Sequence, residues 1–338
     1  MEASKRNSKL NLLKGFACIG VVFIHIQFPG KIGKLISMVS AYAVPVFFLI
    51  AGYYAFGKGT DTLKRRLLKI IKIFVFAYLL FFVYSLLSAA NNHKVVQWFA
   101  DNYTITVLAR YIIFCTVSFA IPLWYLLAQI ETYIFWYFIV KLKKENIIVK
   151  CIPLLFIFYS VLTIVCETKG LAWFYKINFV TRSLSWFALG YYIHSLPKEK
   201  IEATNSKILY LFLILGIVIV CLPTLLSLAI NISCIGYIPY AVALFLLSLK
   251  NSEISICKTM EFLGDKLSLY VYIFHVPVGD LSKMISEKIL KIHTQSEIYL
   301  WLHPIITLWI VIIISYIFYI VITDVNRKNS NKLITKND

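Results

Sequence analysis

Lys14 and His25 stand eleven residues apart in KGFACIGVVFIH, with nothing charged between them. On a helix that interval is about 16 Å of rise, roughly half the hydrocarbon core of a bilayer. The first hydrophobic segment thus carries a cation at its entry and an imidazole deep inside. An ionisable group at such depth is costly, so it faces a cavity or the interior of a helix bundle. A neutral imidazole can take a proton from a hydroxyl and return it, which makes His25 the catalytic candidate. The plain alternative is a packed histidine bonded to neighbouring backbone. A cation at the inner mouth suits a phosphate-bearing donor, although Lys14 also reads as an anchor whose stem snorkels to the interface.

The elements that must position these groups are apolar helices. Of 338 residues, 60% are hydrophobic, 16% aromatic and only 15% charged, and the mean hydropathy is +0.79. These values define an all-α, polytopic integral membrane protein and exclude an ordinary soluble domain. Ten segments are long enough, or nearly so, to span a bilayer: 11–29, 39–57, 73–90, 118–140, 151–166, 180–195, 208–227, 234–249, 267–284 and 300–322. An even count puts both termini on one side. The side holding the termini and the loops 58–72, 141–150, 196–207 and 250–266 carries 24 of the 34 Lys and Arg residues. That bias places both termini in the cytoplasm. It also accounts for the net charge of +18 without nucleic acid, for which the chain has no motif.

The first segment is followed by further spans and lacks a small-residue cleavage site, so it reads as a span and not as a removed leader. One transmembrane domain is expected over 1–325, with a short polar cytoplasmic tail at 326–338. The stretch 91–117 is the longest exofacial one, and its middle, Ile105–Cys115, reads either as an interfacial or re-entrant helix or as a surface loop. The seven cysteines lack metal-ligand spacing and read as small buried apolar residues, so no metal site is expected. There is no P-loop, GxSxG or HExxH.

Five further constellations could carry chemistry. In LKRRLLKIIK, residues 63–72, Arg65 and Arg66 supply forked donors to phosphate oxygens. Stop-transfer charge with attraction to anionic lipid explains the same run. In PVFFLIAGYYAF, residues 45–56, the small pair Ala51–Gly52 permits close helix approach. In PLWYLLAQIETY, residues 122–133, Trp124 and Tyr125 lie near the outer interface, where aromatics anchor helices. Glu131 stands two turns deeper on the Trp124 face, where its carboxylate would orient His25, contact substrate or meet a buried cation. Arg182 opens RSLSWFALGYYIH and would grip substrate, pair with a carboxylate or anchor the span. His275, two residues before Pro277, is the second catalytic candidate. The proline frees a carbonyl within the span, and a broken polar segment of this kind lines a cavity.

Taken in order, these pieces resemble the bacterial integral-membrane acyltransferase-3 family over nearly the whole chain. The resemblance rests on a basic residue, ten intervening residues and a His in the first span, on PVFFLIAGYYAF, on the KRRLLKI run, on PLWYL, on Arg182 leading into WFALGYY, and on LGDKLSLYVYIFHVP. The family commonly has Arg where this chain has Lys14. The resemblance implies a ten-helix bundle of the bacterial inner membrane that moves an acyl group, usually acetyl, from coenzyme A to a hydroxyl. The acceptor expected from it is a cell-surface glycan or lipid-linked sugar. Acetyl-CoA or another acyl-CoA is then a donor substrate and no cofactor is permanently bound; the other partner is membrane lipid, and nucleic acid is not one. Lys14, Arg65 and Arg66 would hold the donor phosphates, His25 would do the chemistry, and Trp124, Tyr125, Glu131, Arg182 and His275 would meet substrate. The rival class is a secondary transporter or flippase for a glycan or lipid, which an internal repeat would mark. None is visible.

Overall fold

The computed structural model describes residues 7–334, and among them there are helices and no strand. Apolar runs bounded by caps give the elements. Asn7 accepts from the Leu10 amide and starts α1, Ser8–His25. After a short turn come α2, Gly30–Ser40, and α3, Ala43–Ala55. Helix α4, Thr60–Asn91, is followed by the short α5, Val95–Asn102, and α6, Ile105–Phe114. Next are α7, Trp124–Lys141; α8, Glu145–Lys150; and α9, Ile152–Thr168. A π-helical stretch, Phe179–Leu184, leads into α10, Ser185–Ser195. Then follow α11, Lys198–Ala203; α12, Ser206–Leu225; α13, Ser233–Leu249; and α14, Lys258–Phe262. A second π-helical stretch, Leu263–Leu267, joins α14 to α15, Ser268–Lys288, and α16 runs from Glu297 to Ile334.

Among the described residues, six stretches are long and apolar enough to cross a membrane: Ser8–His25, Gly30–Ala55, Thr60–Asn91, Ile121–Lys141, Ser206–Leu225 and Glu297–Val325. The chain is a multi-pass membrane protein. The other four expected segments fall short for different reasons. Helices α9 and α13 are apolar but have 17 residues each. Helix α10 has 11 residues behind its π-helical start. Helix α15 has 21, but Asp280, Lys283, Glu287 and Lys288 interrupt its hydropathy.

Several local expectations change. Helix α4 begins at Thr60, so the basic run 63–72 forms helical turns and not a loop. The segment from Ile105 is helical, as one of its two readings required. Helix α15 passes through Pro277 without a break; the irregular turn lies ten residues earlier, at Leu263–Leu267. A missing amide removes one bond, and the surrounding turns and packing of a 21-residue helix hold the rest. The expected polar tail continues α16 as far as Ile334. Its last residues, 335–338, lie outside the described part.

Packing divides the chain into two units, one with both ends (up to Ala43 and from Leu244) and one spanning Val44–Ala243. In the first, α1 lies against α14, the second π-helical stretch and α15. Backbones meet there: a Cβ added at Gly15 would overlap the Met260 carbonyl, and one at Gly264 the Asn11 carbonyl. Only glycine permits that approach. The start of α1 is stitched to the loop that precedes α14, with the Lys9 amide donating to Ser252 O at 3.1 Å and Lys9 Nζ to Lys250 O at 2.8 Å. Buried Glu261 accepts from Ser255 Oγ at 2.7 Å and the Ile256 amide at 3.0 Å. Those bonds, the Ser255 hydroxyl foremost, hold its carboxyl below the usual carboxylate range.

In the second unit, α4 packs on α7, and α7, α9 and α10 surround the first π-helical stretch. The expected close approach at Gly52 is present: an added Cβ would overlap the Phe187 carbonyl. Thr132 and Ser183, both buried, share a 2.6 Å hydrogen bond that ties α7 to the π-helical stretch.

Candidate functional site

His25 is the last residue of α1, so its imidazole stands at a helix end and not in mid-helix as the 11–29 boundaries implied. The Ile26 amide still closes onto Val22 O at 2.7 Å, which fixes the turn that holds the ring. Across from it, α15 presents His275. The two rings lie 4.9 Å apart with their planes tilted by 53°. His275 is fully buried, whereas His25 is only half-buried. The His275 Nδ1–H donates to the Tyr272 carbonyl at 2.7 Å. A carbonyl only accepts, so that contact sets the tautomer and leaves Nε2 with its lone pair. Nε2 has no hydrogen-bond partner among the described residues. The two histidines expected to matter most are therefore brought together, with one ring locked and a bare nitrogen turned to its surroundings.

Lys14 lies on the same helix as His25, and eleven residues is close to three full turns, so the two share a face. Its Nζ donates to Asn11 Oδ1 at 3.3 Å. Asp265, in the second π-helical stretch, attracts it, and Lys266 repels it. Asp265 itself pairs with Lys266 at 3.0 Å. The acid was not singled out from sequence. Its signal was available: a carboxylate in LGDKL at the threshold of a span, next to the glycine that touches α1.

The remaining site residues belong to the second unit. Arg65 is exposed and donates locally, to Thr62 Oγ1 at 3.3 Å. Arg66 is half-buried, and its Nη1 donates to Tyr54 O at 2.8 Å, near the end of α3, while its guanidinium also meets the Tyr133 hydroxyl. The two arginines thus have unlike surroundings despite adjacent positions. Trp124 is buried, with its ring 6.3 Å from Phe48, and Tyr125 lies 4.7 Å from the same ring. Their aromatic faces are used in packing against α3. Glu131 takes a hydrogen bond from the Cys115 thiol, a partner none of the sequence alternatives included. Arg182 sits over the Tyr159 ring at 5.4 Å, and its buried Nε makes no hydrogen bond among the described residues. It lies in a π-helical turn capped by Asn178, whose side chain accepts from the amides of Val180 and Thr181. Glu131 and Arg182 do not pair with each other among the described residues.

A Ser–His contact in the first unit invites a nucleophilic reading and does not support it. Ser282 Oγ is 3.0 Å from His303 Nε2, but Nε2 is also 3.1 Å from the Gly279 carbonyl. That nitrogen must carry a proton to face a carbonyl, so it cannot take one from Ser282. The cluster, which includes Thr307 Oγ1 at 3.3 Å from Ser282, clips α15 to α16. Among the described residues no group of His, Cys, Asp and Glu could hold a metal ion.

The chain matches the family model Acyl_transf_3, an acyltransferase domain, over residues 7–324, and so belongs to the acyltransferase-3 family. It is a membrane acyltransferase. No curated protein and no solved structure matches it.

Proposed function

We propose that this acyltransferase takes an acetyl group from acetyl-CoA on the cytoplasmic face and delivers it to a hydroxyl of a cell-envelope glycan or lipid-linked sugar. The setting is a ten-span bundle of the bacterial inner membrane with both termini in the cytoplasm. The observation that carries this reading is the imidazole pair His25–His275, three helical turns from Lys14 on a shared α1 face. Lys14 takes a donor phosphate; exposed Arg65 adds positive charge on the cytoplasmic side, and Arg66 holds α3 through the Tyr54 carbonyl. The pantetheine arm, long, thin and largely uncharged, covers the roughly 16 Å from Lys14 to His25.

In the chemical step His25 accepts the proton of the acceptor hydroxyl as its oxygen attacks the thioester carbonyl. The C–S bond breaks, and the coenzyme A thiolate leaves and takes up the proton from His25. His275, its tautomer fixed by the Tyr272 carbonyl, offers its Nε2 lone pair beside His25 and keeps that ring oriented. Holding donor and acceptor together supplies much of the rate advantage.

Purified protein in nanodiscs, supplied with radiolabelled acetyl-CoA and envelope glycan, should form acetylated glycan and free thiol in equal amounts. Mass spectrometry of surface glycans from a deletion strain should show loss of acetyl groups. Thiol release without any acceptor product, or glycans unchanged by the deletion, would overturn the reading.

A further inference from the structure

Helix α9 turns three polar side chains to one side. Tyr159, Thr163 and Glu167 stand every fourth residue and so share a face. Glu167, near the end of the helix, is satisfied by Lys176 Nζ at 2.6 Å. The other two are not. Tyr159 is 0% exposed and Thr163 2%, and neither hydroxyl has a hydrogen-bond partner among the described residues. Half-buried Arg182 lies over the Tyr159 ring, and its Nε is a third buried polar atom without a partner among the described residues. Nor does Arg182 make an ion pair among the described residues.

The backbone under this guanidinium is fixed. Within the π-helical stretch the Arg182 amide donates to Asn178 O at 2.9 Å, and Thr181 Oγ1 donates to Lys176 O at 3.0 Å. From α13, the Cys234 thiol donates to Ser160 O at 3.8 Å, next to Tyr159. Tyr237, one turn further along α13, is buried within reach of the Arg182 charge. Donors held in this way bind a ligand without first being ordered.

An unpartnered buried hydroxyl costs about 1–3 kcal/mol. A cation drawn out of water without a counter-ion costs more. Water can partner the hydroxyls but brings no charge to Arg182. All three groups can donate, so the ligand they fit is an acceptor of hydrogen bonds. Lys176 and Glu167 cancel, which leaves the single positive charge of Arg182 to be balanced. A carboxylate supplies one negative charge and two acceptor oxygens. A phosphate dianion would leave surplus negative charge beside Glu167. A phosphodiester continues on both sides, whereas side chains as buried as Tyr159 and Thr163 suit a group that ends among them.

We infer that Tyr159, Thr163 and Arg182 together bind a carboxylate carried by the acceptor, which is therefore an acidic sugar of the uronic acid type. The inference rests on the acyl-transfer reading and adds to it a charge requirement on the acceptor. The carboxylate that pairs with Arg182 comes from the substrate and not from the chain. Tyr159 and Thr163 act as specificity residues, telling an acid from the corresponding alcohol.

Two measurements on the full chain in nanodiscs test this. In equilibrium dialysis without acetyl-CoA, a radiolabelled disaccharide ending in glucuronic acid should bind. Free glucuronate should displace it, and glucose and dimethyl phosphate at the same concentration should not. Tyr159→Phe and Thr163→Val each remove a hydroxyl and keep the shape of the side chain. Each should weaken binding by about tenfold or more, the scale of one hydrogen bond to a charged group, while the melting temperature holds or rises. Equal displacement by glucose or dimethyl phosphate, or unchanged binding in both variants, would overturn the inference. So would a marked fall in melting temperature, because the hydroxyls would then be serving the fold. Secondly, kcat/KM for acetyl transfer to the acidic disaccharide should exceed that for its carboxyl-reduced counterpart by about tenfold or more, and Tyr159→Phe should erase most of that ratio. Equal use of the two sugars would sink the inference and leave the acyltransferase reading intact. Acetylation of neither would instead fault the acyl-transfer reading, and the dialysis would still decide what the three side chains bind.

Discussion

His25 and His275 come from opposite ends of the chain and meet ring against ring, whereas Glu131 and Arg182 make no pair with each other among the described residues and each has a different partner. Glu131 has the Cys115 thiol, and Arg182 the Tyr159 ring. Both regions contain a π-helical stretch, one just before the helix that carries His275 and one that itself carries Arg182, a geometry that recurs at functional sites. The stretch Leu263–Leu267 leads into the helix that sets His275 against another titratable ring, and the stretch Phe179–Leu184 is tied to α7 through Ser183 and Thr132. Similar backbone irregularity thus stands beside a pair of facing imidazoles in one unit and beside an arginine stacked on an aromatic ring in the other.

The sharpest way to break that comparison is His25→Ala. Acetyl transfer should fall by about 10² or more, the scale of losing a general base, while the melting temperature stays near wild type. Near-normal turnover would remove the imidazole pair from the mechanism. His275→Gln should cost about 10-fold to 100-fold in kcat by misplacing its neighbour, and should also change the pH–rate profile. A lower yield with an unaltered pH profile would make it a packing residue.

Smaller effects separate the two arginines. Arg65→Gln should raise the KM for acetyl-CoA, with a salt-sensitive affinity measured by titration, and leave the melting temperature unchanged. Arg66→Gln should lose about 1 kcal/mol of stability with the Tyr54 carbonyl bond, visible in thermal unfolding. Glu131→Gln should have the least consequence, about 0.5 kcal/mol of stability or less, because its thiol partner is a weak donor. Loss of acetyl transfer at unchanged melting temperature would move Glu131 back into the acceptor site and erase the contrast between the units.

The helical class and most segments were legible because apolar runs and charge bias depend on composition along the chain. The Lys14–His25 relation was legible for the same reason: both lie on one helix, and spacing alone sets their shared face. The His25–His275 pair was not, since no local rule connects residues at opposite ends of the chain. Segment 267–284 was misread at its irregular point. Pro277 advertises a break that packing absorbs, while the real irregularity at Leu263–Leu267 has only a glycine to announce it. Arg65 and Arg66 look interchangeable in sequence and differ in the fold because one faces outward and its neighbour reaches Tyr54.

The π-helical stretch at Leu263–Leu267 has a consequence for how the gene tolerates length change. A π turn closes over one residue more than an α turn, so it can absorb an insertion without rephasing the helix beyond it. Deleting one residue inside 263–267 should therefore relax the turn to α-helix and leave His275 aimed at α1. Deleting one between Ser268 and Phe274 has no such slack, and turns everything downstream by about 100°. Single-codon deletions across this span should show a sharp step in activity at its boundary, permissive on one side and null on the other.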